Sequence, residues 1–380
     1  MERASLVRRM KIKRILKWTA RAILVVLILT FLVGFIAYWR STNDCDRNTG
    51  APANPMKAVV HCEYGGPEVL TLADVEKPVP TDNQVLVKVH AASLNPLDLT
   101  IRGPLLIRPI LGMRKPKDTR LGVDYAGTVE AVGKNVTQFK PGDEVFGFCR
   151  GSLAEYAVTF ERALVMKPAN VPFEQAASIP LAGLTALQGL REGKIQPGQK
   201  VLINGATGGV GTFAVQIAKS LGAEVTAVCS TRNVDLVRSI GADHVIDYTK
   251  EDYTKSDQHY DVIFDNVCNH SFFERRRVLT AKGICVLTGM GGAGVKEGQA
   301  LGRIVGNLFI ARGLSSFTDQ KFAQYMTKVS NDDLIMLGDL VQARKVRPVI
   351  ERICKLSDAP EAFRVFDQGH ARGKIVITVE

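Results

Sequence analysis

What this chain of 380 residues lacks excludes several chemistries at once. Its seven cysteines never stand closer than 17 positions, so there is no C-x-x-C pair, and its six histidines form no H-E-x-x-H. A zinc site has no ligand cluster to build on. The cysteine count is odd and most of the thiols lie in apolar runs, which reads as reduced, buried side chains. Acidic residues are short by comparison with basic ones, 38 against 49, for a net charge of +11. That excess is local. Residues 1–55 hold ten Lys/Arg and three acids, a net of +7, leaving +4 on the other 325 residues. The folded body therefore offers no basic patch for nucleic acid. No fixed-period repeat occurs, and the 34 Gly and 16 Pro are scattered as turn punctuation. At 46% hydrophobic and 23% charged residues the chain is ordinary globular protein, long enough for two domains.

The amino-terminal segment is unlike the rest. Eight basic residues, from Arg3 to Arg21, precede the uncharged run Ala22–Trp39. As a helix this run would cross a bilayer core, with Tyr38 and Trp39 at the interface. It has no small-x-small site after it, so an uncleaved anchor is expected rather than a signal peptide. The basic flank favours a body outside the cytoplasm. The cofactor argued below favours the reverse, and a single-pass membrane protein with its body facing the cytoplasm is the expectation.

Past a polar, turn-rich linker, short apolar strands separated by Gly and Pro turns run from Lys57 to Phe148. Phe173–Leu190 has a helical pattern, and from Lys200 strands and helices alternate. Such alternation means βαβ units and a parallel sheet covered by helices. The tail, ending in the strand Lys374–Thr378, resembles the first region again.

Between the strand Val201–Asn204 and the helix from Thr212 lies Gly205-Ala-Thr207-Gly208-Gly209-Val210-Gly211. Its glycines at the first, fourth and seventh positions, in a strand–turn–helix context, suit a dinucleotide pyrophosphate. They allow a tight turn and close approach, and the helix N-terminus offers unpaired N–H groups. No Lys-Ser/Thr follows, which excludes a nucleoside-triphosphate loop. At the end of the next strand an enzyme binding NAD carries Asp or Glu for the ribose hydroxyls. Here stand Ser230, Thr231 and Arg232, hydroxyls and a guanidinium that suit a 2′-phosphate. NADP(H) is the cofactor expected.

Several separated motifs complete the picture: YGGPEVL at 64–70, SLNPLDLTIRG at 93–103, LGVDYAGTVEAVG at 121–133, PLAGLTALQGL at 180–190, NGATGGVG at 204–211 and GHARGKIVITV at 369–379. With these, residues 56–380 resemble the zinc-independent, quinone oxidoreductase group of the medium-chain dehydrogenase/reductases. The resemblance implies an α/β fold: a GroES-like β-rich barrel domain and a Rossmann doubly wound parallel sheet, here preceded by one transmembrane helix. The expected division is a basic segment 1–21, a membrane helix 22–39, a linker 40–55, a first part of the GroES-like domain 56–178, a Rossmann domain 179–325 and a return at 326–380.

Zinc-dependent relatives carry Cys near Asn95 and Gly-His-Glu at Gly122-Val123-Asp124, so the resemblance implies no metal. It places Thr207, Gly208, Gly209 and Val210, with Gly205 and Gly211, at the pyrophosphate. Ser230, Arg232 and Tyr248 belong at the 2′-phosphate, and Thr185, Asp265, Met290 and Gly291 near the ribose or nicotinamide. His370, Ala371 and Arg372, with Lys374 beside them, close over the cofactor from the tail.

The reaction expected is hydride transfer to a quinone, an enone or a similar activated carbonyl acceptor, a hydrophobic quinone among them. Asn95 is the candidate donor to the developing oxyanion, with Asp98 on the same segment. No Y-x-x-x-K occurs, against a short-chain dehydrogenase mechanism. The other reading is a membrane-tethered NADPH-binding scaffold with little turnover. The remaining partners allowed for are the membrane through residues 22–39 and a second copy in a homodimer.

Overall fold

The computed structural model describes residues 51–104, 108–288, 319–369 and 372–379, with positions 18, 19, 21, 24–26, 28–36, 38, 39 and 45 of the N-terminal segment. Strands β1 (Pro55–Val60) and β2 (Thr71–Glu76) form an antiparallel pair. Strands β3 (Gln84–Ser93), β4 (Asp124–Val132), β5 (Glu144–Phe148), β6 (Tyr156–Phe160) and β7 (Leu164–Met166) follow. The chain then builds β8 (Lys200–Asn204), β9 (Glu224–Cys229), β10 (His244–Asp247), β11 (Tyr260–Asp265), β12 (Leu279–Leu287) and β13 (Lys321–Gln324). It ends in β14 (Ile350–Lys355) and β15 (Lys374–Thr378).

Two larger sheets result. One has the order β14-β15-β3-β4-β5-β7, with β6 on β3, so the C-terminal strands join a sheet begun by the first. One edge of β3 is shared. Residues Gln84–Lys88 pair with β6, and Ala91–Ser93 pair with β15. The end of β3 is thereby pinned to the returning tail. Val85, Val87, Val89, Leu94, Tyr125, Ile375 and Ile377 meet in its core.

The other sheet is wholly parallel in the order β10-β9-β8-β11-β12-β13. Its inner strands are nearly continuous apolar runs because helices cover both faces. Side chains alternate between those faces. Val201 and Ile203 pack toward α3 (Pro180–Glu192) and α4 (Gly209–Ser220), while Leu202, Ile263 and Cys285 pack on the opposite side. This is the α/β pairing of a GroES-like domain with a Rossmann domain. The remaining helices are short α1 (Arg108–Leu111), α2 (Phe173–Ala177), α5 (Val234–Ser239) and α6 (Phe272–Arg277), then α7 (Asn331–Gln342) and α8 (Ala359–Asp367). The helical pattern over 173–190 is in fact split. Pro180 cannot donate a helical N–H, so α2 ends and α3 starts there.

Two expectations from the N-terminal segment are corrected. Among the described residues no helix is long and apolar enough to cross a membrane. Ala22, Ile23, Leu27 and Ala37 lie outside the described residues. The single-pass placement, the cytoplasm-facing body and the membrane contact through residues 22–39 fall with the span. Second, the thiols are not all reduced. Cys45 and Cys62 form a disulfide with their Cα atoms 5.4 Å apart, which ties the segment to the end of β1. Cys149, Cys229, Cys268, Cys285 and Cys354 are free. Burial pushes the Cys229 thiol up to about 11 and those of Cys149 and Cys285 further still.

The parallel sheet is locked at its centre. Asn204 and Asp265 end neighbouring strands in register. Asp265 is fully buried and accepts from Asn204 Nδ2 at 2.8 Å, Val267 N at 3.1 Å, Cys268 N at 2.8 Å and Arg275 Nη1 at 2.6 Å. Arg275 is itself fully buried, and Asp265 is its chief electrostatic partner. Replacing one member of such a pair leaves a buried charge uncompensated. Arg275→Met should lower unfolding stability by about 3–5 kcal/mol, read from urea denaturation. A loss below about 1 kcal/mol would contradict this account.

Candidate active site

The crossing point of the parallel sheet lies between β8 and β11, where the strand order reverses. In such sheets ligands bind beyond the strand ends at that point. The glycine-rich turn leaves β8 there. Gly205 has φ +81°, a left-handed conformation open to glycine, and a Cβ on it would meet Val267 Cγ2 at 2.7 Å. Gly211 lies against the Gly205 carbonyl, so any side chain there would collide with backbone. Gly208 caps α4, and a Cβ on it would meet nothing nearer than Gly205 O at 3.8 Å. Gly209 and the half-buried Val210 open the helix. Gly208 is thus the cap of a twelve-residue helix, whose first N–H groups suit a pyrophosphate.

At the end of β9 the half-buried Ser230 and the exposed Arg232 flank a short turn. Tyr248 N donates to Cys229 O at 2.9 Å, which brings the exposed Tyr248 beside them. These three of the expected residues therefore gather in one place. Thr231 does not join them as a donor, because its hydroxyl is given to Asp247. Asp247 comes from the neighbouring strand and was not foreseen. Hydrogen bonds from Thr231 and Thr249 hold its carboxyl down to about 2. Asn233 donates to Ser230 Oγ at 3.2 Å and, at 3.5 Å, to Thr207 Oγ1, while its own Oδ1 is buried without a partner. An orphaned acceptor beside the turn fits a bound nucleoside.

The other expected cofactor residues divide. Thr185 on α3 is half-buried. It donates to Leu181 O at 2.7 Å, is 2.8 Å from Thr327 Oγ1, and accepts from the Tyr325 hydroxyl at its carbonyl. Asp265 is placed at the right strand end, but its carboxylate is spent on Arg275 and the turn below, so direct contact with a ribose is corrected to a supporting role. Arg372 is exposed and its N–H donates to Glu351 at 2.9 Å. Met290, Gly291, His370 and Ala371 lie outside the described residues.

The first domain brings its own cluster to the same cleft. Asn95, two residues past β3, caps a tight helical turn opened by Pro96, and Asp98 three residues on folds back so that Oδ2 accepts from Asn95 N at 2.8 Å. Asp98 Oδ1 accepts from Gly122 N at 3.1 Å. Asn95 Nδ2 donates to Ser93 O at 3.1 Å and Asp124 Oδ2 at 2.9 Å. Its Oδ1 accepts from Lys374 Nζ at 2.6 Å. Both amide hydrogens are thus used internally at 2% exposure, and the expectation that Asn95 donates directly to a substrate oxygen is corrected. Asp124 is fully buried. It accepts from Ser93 Oγ at 3.2 Å, from Leu181 N at 3.0 Å and from Lys374 Nζ at 3.3 Å.

Two buried carboxylates share one ammonium here. Burial raises Asp124 and lowers Lys374, each offsetting part of the other's cost. Burial also pushes Asp98 up to about 7, helped by the charge of Asp124 and opposed by the Asn95 and Gly122 N–H groups and by Lys374. Sequence reading placed Lys374 only beside the cofactor, and Asp124 only as a changed metal position. A lysine is normally a surface residue, and nothing in the pattern signals its burial.

Residues 81–169 match the alcohol dehydrogenase GroES-like domain and residues 240–377 the zinc-binding dehydrogenase family. The mitochondrial NAD(P)H oxidoreductase RTN4IP1 of Mus musculus is 36% identical over 362 residues, covering 87% of this chain and 91% of its own. The chloroplastic NADPH-dependent alkenal/one oxidoreductase of Arabidopsis thaliana is 34% identical over 341 residues, 85% of this chain and 79% of its own. The solved quinone oxidoreductase of Coxiella burnetii superposes with a TM-score of 0.73 at 31% identity, over 86% of this chain and 100% of that one. Zinc, named in the second family's description, does not fit the donor set here. The space between Asn95 and Asp124 is filled by an ammonium, and among the described residues no three His, Cys, Asp or Glu side chains are grouped to hold a metal.

The raised carboxyl of Asp98 has a sign that can be checked. In the unfolded chain it ionises near 3.9, and in the folded protein near 7. Below the lower value it contributes nothing. Its cost to stability grows as pH rises between the two and is complete above the higher one. The difference in thermal midpoint between the wild type and Asp98→Asn should therefore change between pH 4 and 7 and stay flat from pH 8 to 9. A difference independent of pH would remove the raised carboxyl.

Proposed function

The chain belongs to the medium-chain dehydrogenase/reductase superfamily, on its quinone-oxidoreductase-like side, and we propose that it transfers hydride from NADPH to a quinone, an enone or a similar activated carbonyl acceptor without zinc. The observation that carries this reading is the glycine turn at the strand-order reversal, which caps the N-terminus of α4 and is linked through Lys374 to the Asn95 segment. The nicotinamide, when bound, supplies the hydride. The protein holds, orients and shields.

Gly208, Gly209 and Val210 present the helix N-terminus to the pyrophosphate. Ser230, Arg232 and Tyr248 surround the 2′-phosphate. The choice of NADPH over NADH rests on them, together with the absence of an acid at the end of β9. The carboxylate of Asp247 stands nearby, but it is turned toward Thr231 and Thr249. Thr185 faces the cleft from α3. On the acceptor side, the segment that begins at Gly103 is folded down by Tyr64, whose hydroxyl donates to Gly112 O at 2.7 Å. Arg108 lies over the Tyr64 ring at 4.8 Å and donates to Gly103 O at 2.8 Å. Leu97 on the Asn95 turn and Ile110 on the segment beyond it are exposed apolar side chains, which favours an apolar acceptor.

Three outcomes are expected. Purified protein should oxidise NADPH with members of a panel of quinones and enones, and absence of turnover with all of them would sink the reading. Arg232→Ala should raise the NADPH dissociation constant about tenfold or more, because a charge-assisted hydrogen bond contributes roughly 1.5–3 kcal/mol, and should leave NADH binding nearly unchanged. Equal losses for both would remove the 2′-phosphate role. Chelator treatment should leave turnover intact, and a stoichiometric zinc whose removal abolishes activity would overturn the metal-free assignment.

A further inference from the structure

We propose that Lys374 is a positioning residue for hydride transfer, one that locks the Leu94–Asn95 segment of the first domain onto the glycine turn of the second and so fixes the cleft in which acceptor and cofactor meet. The proposal rests on the hydride-transfer reading above and assigns it a residue that touches neither partner.

Both ends of Lys374 are held, and by opposite domains. On the cofactor side, the N–H of the preceding Gly373 donates to Thr207 O at 2.7 Å, and Gly373 forms a parallel bridge with Gly208. The lysine stem lies on the same turn, since a Cβ on Gly209 would come within 2.8 Å of Lys374 Cδ. On the acceptor side, Nζ donates to Leu94 O at 3.0 Å, Asn95 Oδ1 at 2.6 Å and Asp124 Oδ2 at 3.3 Å. An ammonium has three hydrogens and accepts nothing. All three are used inside the protein at 3% exposure. None is left for a phosphate or a substrate oxygen, which sets Lys374 apart from a cofactor ligand.

Its acceptors are the groups that fix the reacting side of the cleft. Asn95 begins the turn that carries Asp98, and Asp124 also receives the N–H of Leu181 at the start of α3, four residues before Thr185. One cation therefore ties the ends of β3 and β4 and, through Asp124, the start of α3 to the pyrophosphate turn. β15 is held independently by its pairing with β3 and β14 and by the buried Ile375, Val376 and Ile377.

Lys374→Met keeps the stem and removes the head. The expected result is a NADPH dissociation constant, from fluorescence titration, within about threefold of the wild type. At saturation, kcat should fall roughly 100-fold, the loss that small misplacement of reacting groups produces. Amide exchange should speed up across residues 95–103 and not across α4. The double variant Lys374→Met/Asp124→Asn removes the charge imbalance as well, and should recover thermal midpoint without recovering kcat. If kcat returns together with stability, Lys374 serves charge balance alone and the proposal is wrong. A NADPH dissociation constant that rises in step with the loss of activity would make Lys374 a cofactor ligand and equally overturn it. Should the single variant fail to fold, the double variant carries the same comparison. A wild type that turns over no acceptor would defeat the hydride-transfer reading alone, and unchanged exchange over 95–103 would still defeat the lock.

Discussion

Taking an ammonium out of water costs several kcal/mol unless its charge and its hydrogens are met, and Lys374 is met on every side. That requirement reaches far into the molecule. Asp124 has to start β4 beside the end of β3, and Asn95 has to turn its amide oxygen inward. The C-terminal strand has to enter the first sheet next to residues 91–93 of β3 rather than at a free edge. The tail thus completes the first domain at the place where the chain had left it to build the second.

A second buried ion pair does comparable work from the other side. Asp265 and Arg275 have no exposed surface, and through Asn204 they hold the end of β8 from which the glycine turn departs. In both knots a buried carboxylate also collects backbone N–H groups from an adjoining turn, Val267 and Cys268 in one, Leu181 in the other. The turn from Gly205 to Gly211 is held between them. Neither pair is an efficient way to gain stability, because apolar packing of similar volume often does as well. Their value is geometric, since a fully satisfied charged group tolerates one arrangement of its neighbours.

The elements easiest to read from sequence were those whose signal is local. Alternating strands and helices from Lys200, and glycines at the first, fourth and seventh positions after an apolar strand, gave the parallel sheet and the turn at its crossing point. Ser230 and Arg232 were read from their strand end and Tyr248 from the family resemblance, and the Tyr248 N–H bond to Cys229 O brings it beside them. What was not legible depends on contacts between distant segments. Asp247 lies sixteen residues beyond Thr231 and reaches it only because β10 pairs with β9. Lys374 is 279 residues from Asn95, and a lysine in sequence carries no mark of burial. Asn95 has the right chemistry for an oxyanion donor, but the hydrogen bonds that consume its amide come from Ser93, Asp124 and the tail together. The run from Ala22 to Trp39 satisfied a composition rule for a membrane span, yet among the described residues no helix is long and apolar enough to cross a bilayer. The Cys45–Cys62 pair was missed because a sequence separation of 17 matches no metal or redox spacing, and only the fold of the segment brings the two together.

The arrangement separates two properties that a reductase must set. In the proposed mechanism the alignment of the two domains rests on buried groups, Lys374, Asp124, Asn95 and the Asp265–Arg275 pair. Ser230, Arg232 and Tyr248, on which the proposed choice of NADPH over NADH rests, lie toward the surface at the ends of β9 and β10. Under that proposal a change there would alter which nicotinamide cofactor is held, while the buried clusters keep the two domains aligned. The segment beyond Gly103 is a further element, tied down by the Tyr64 hydroxyl on Gly112 O and by Arg108 on Gly103 O.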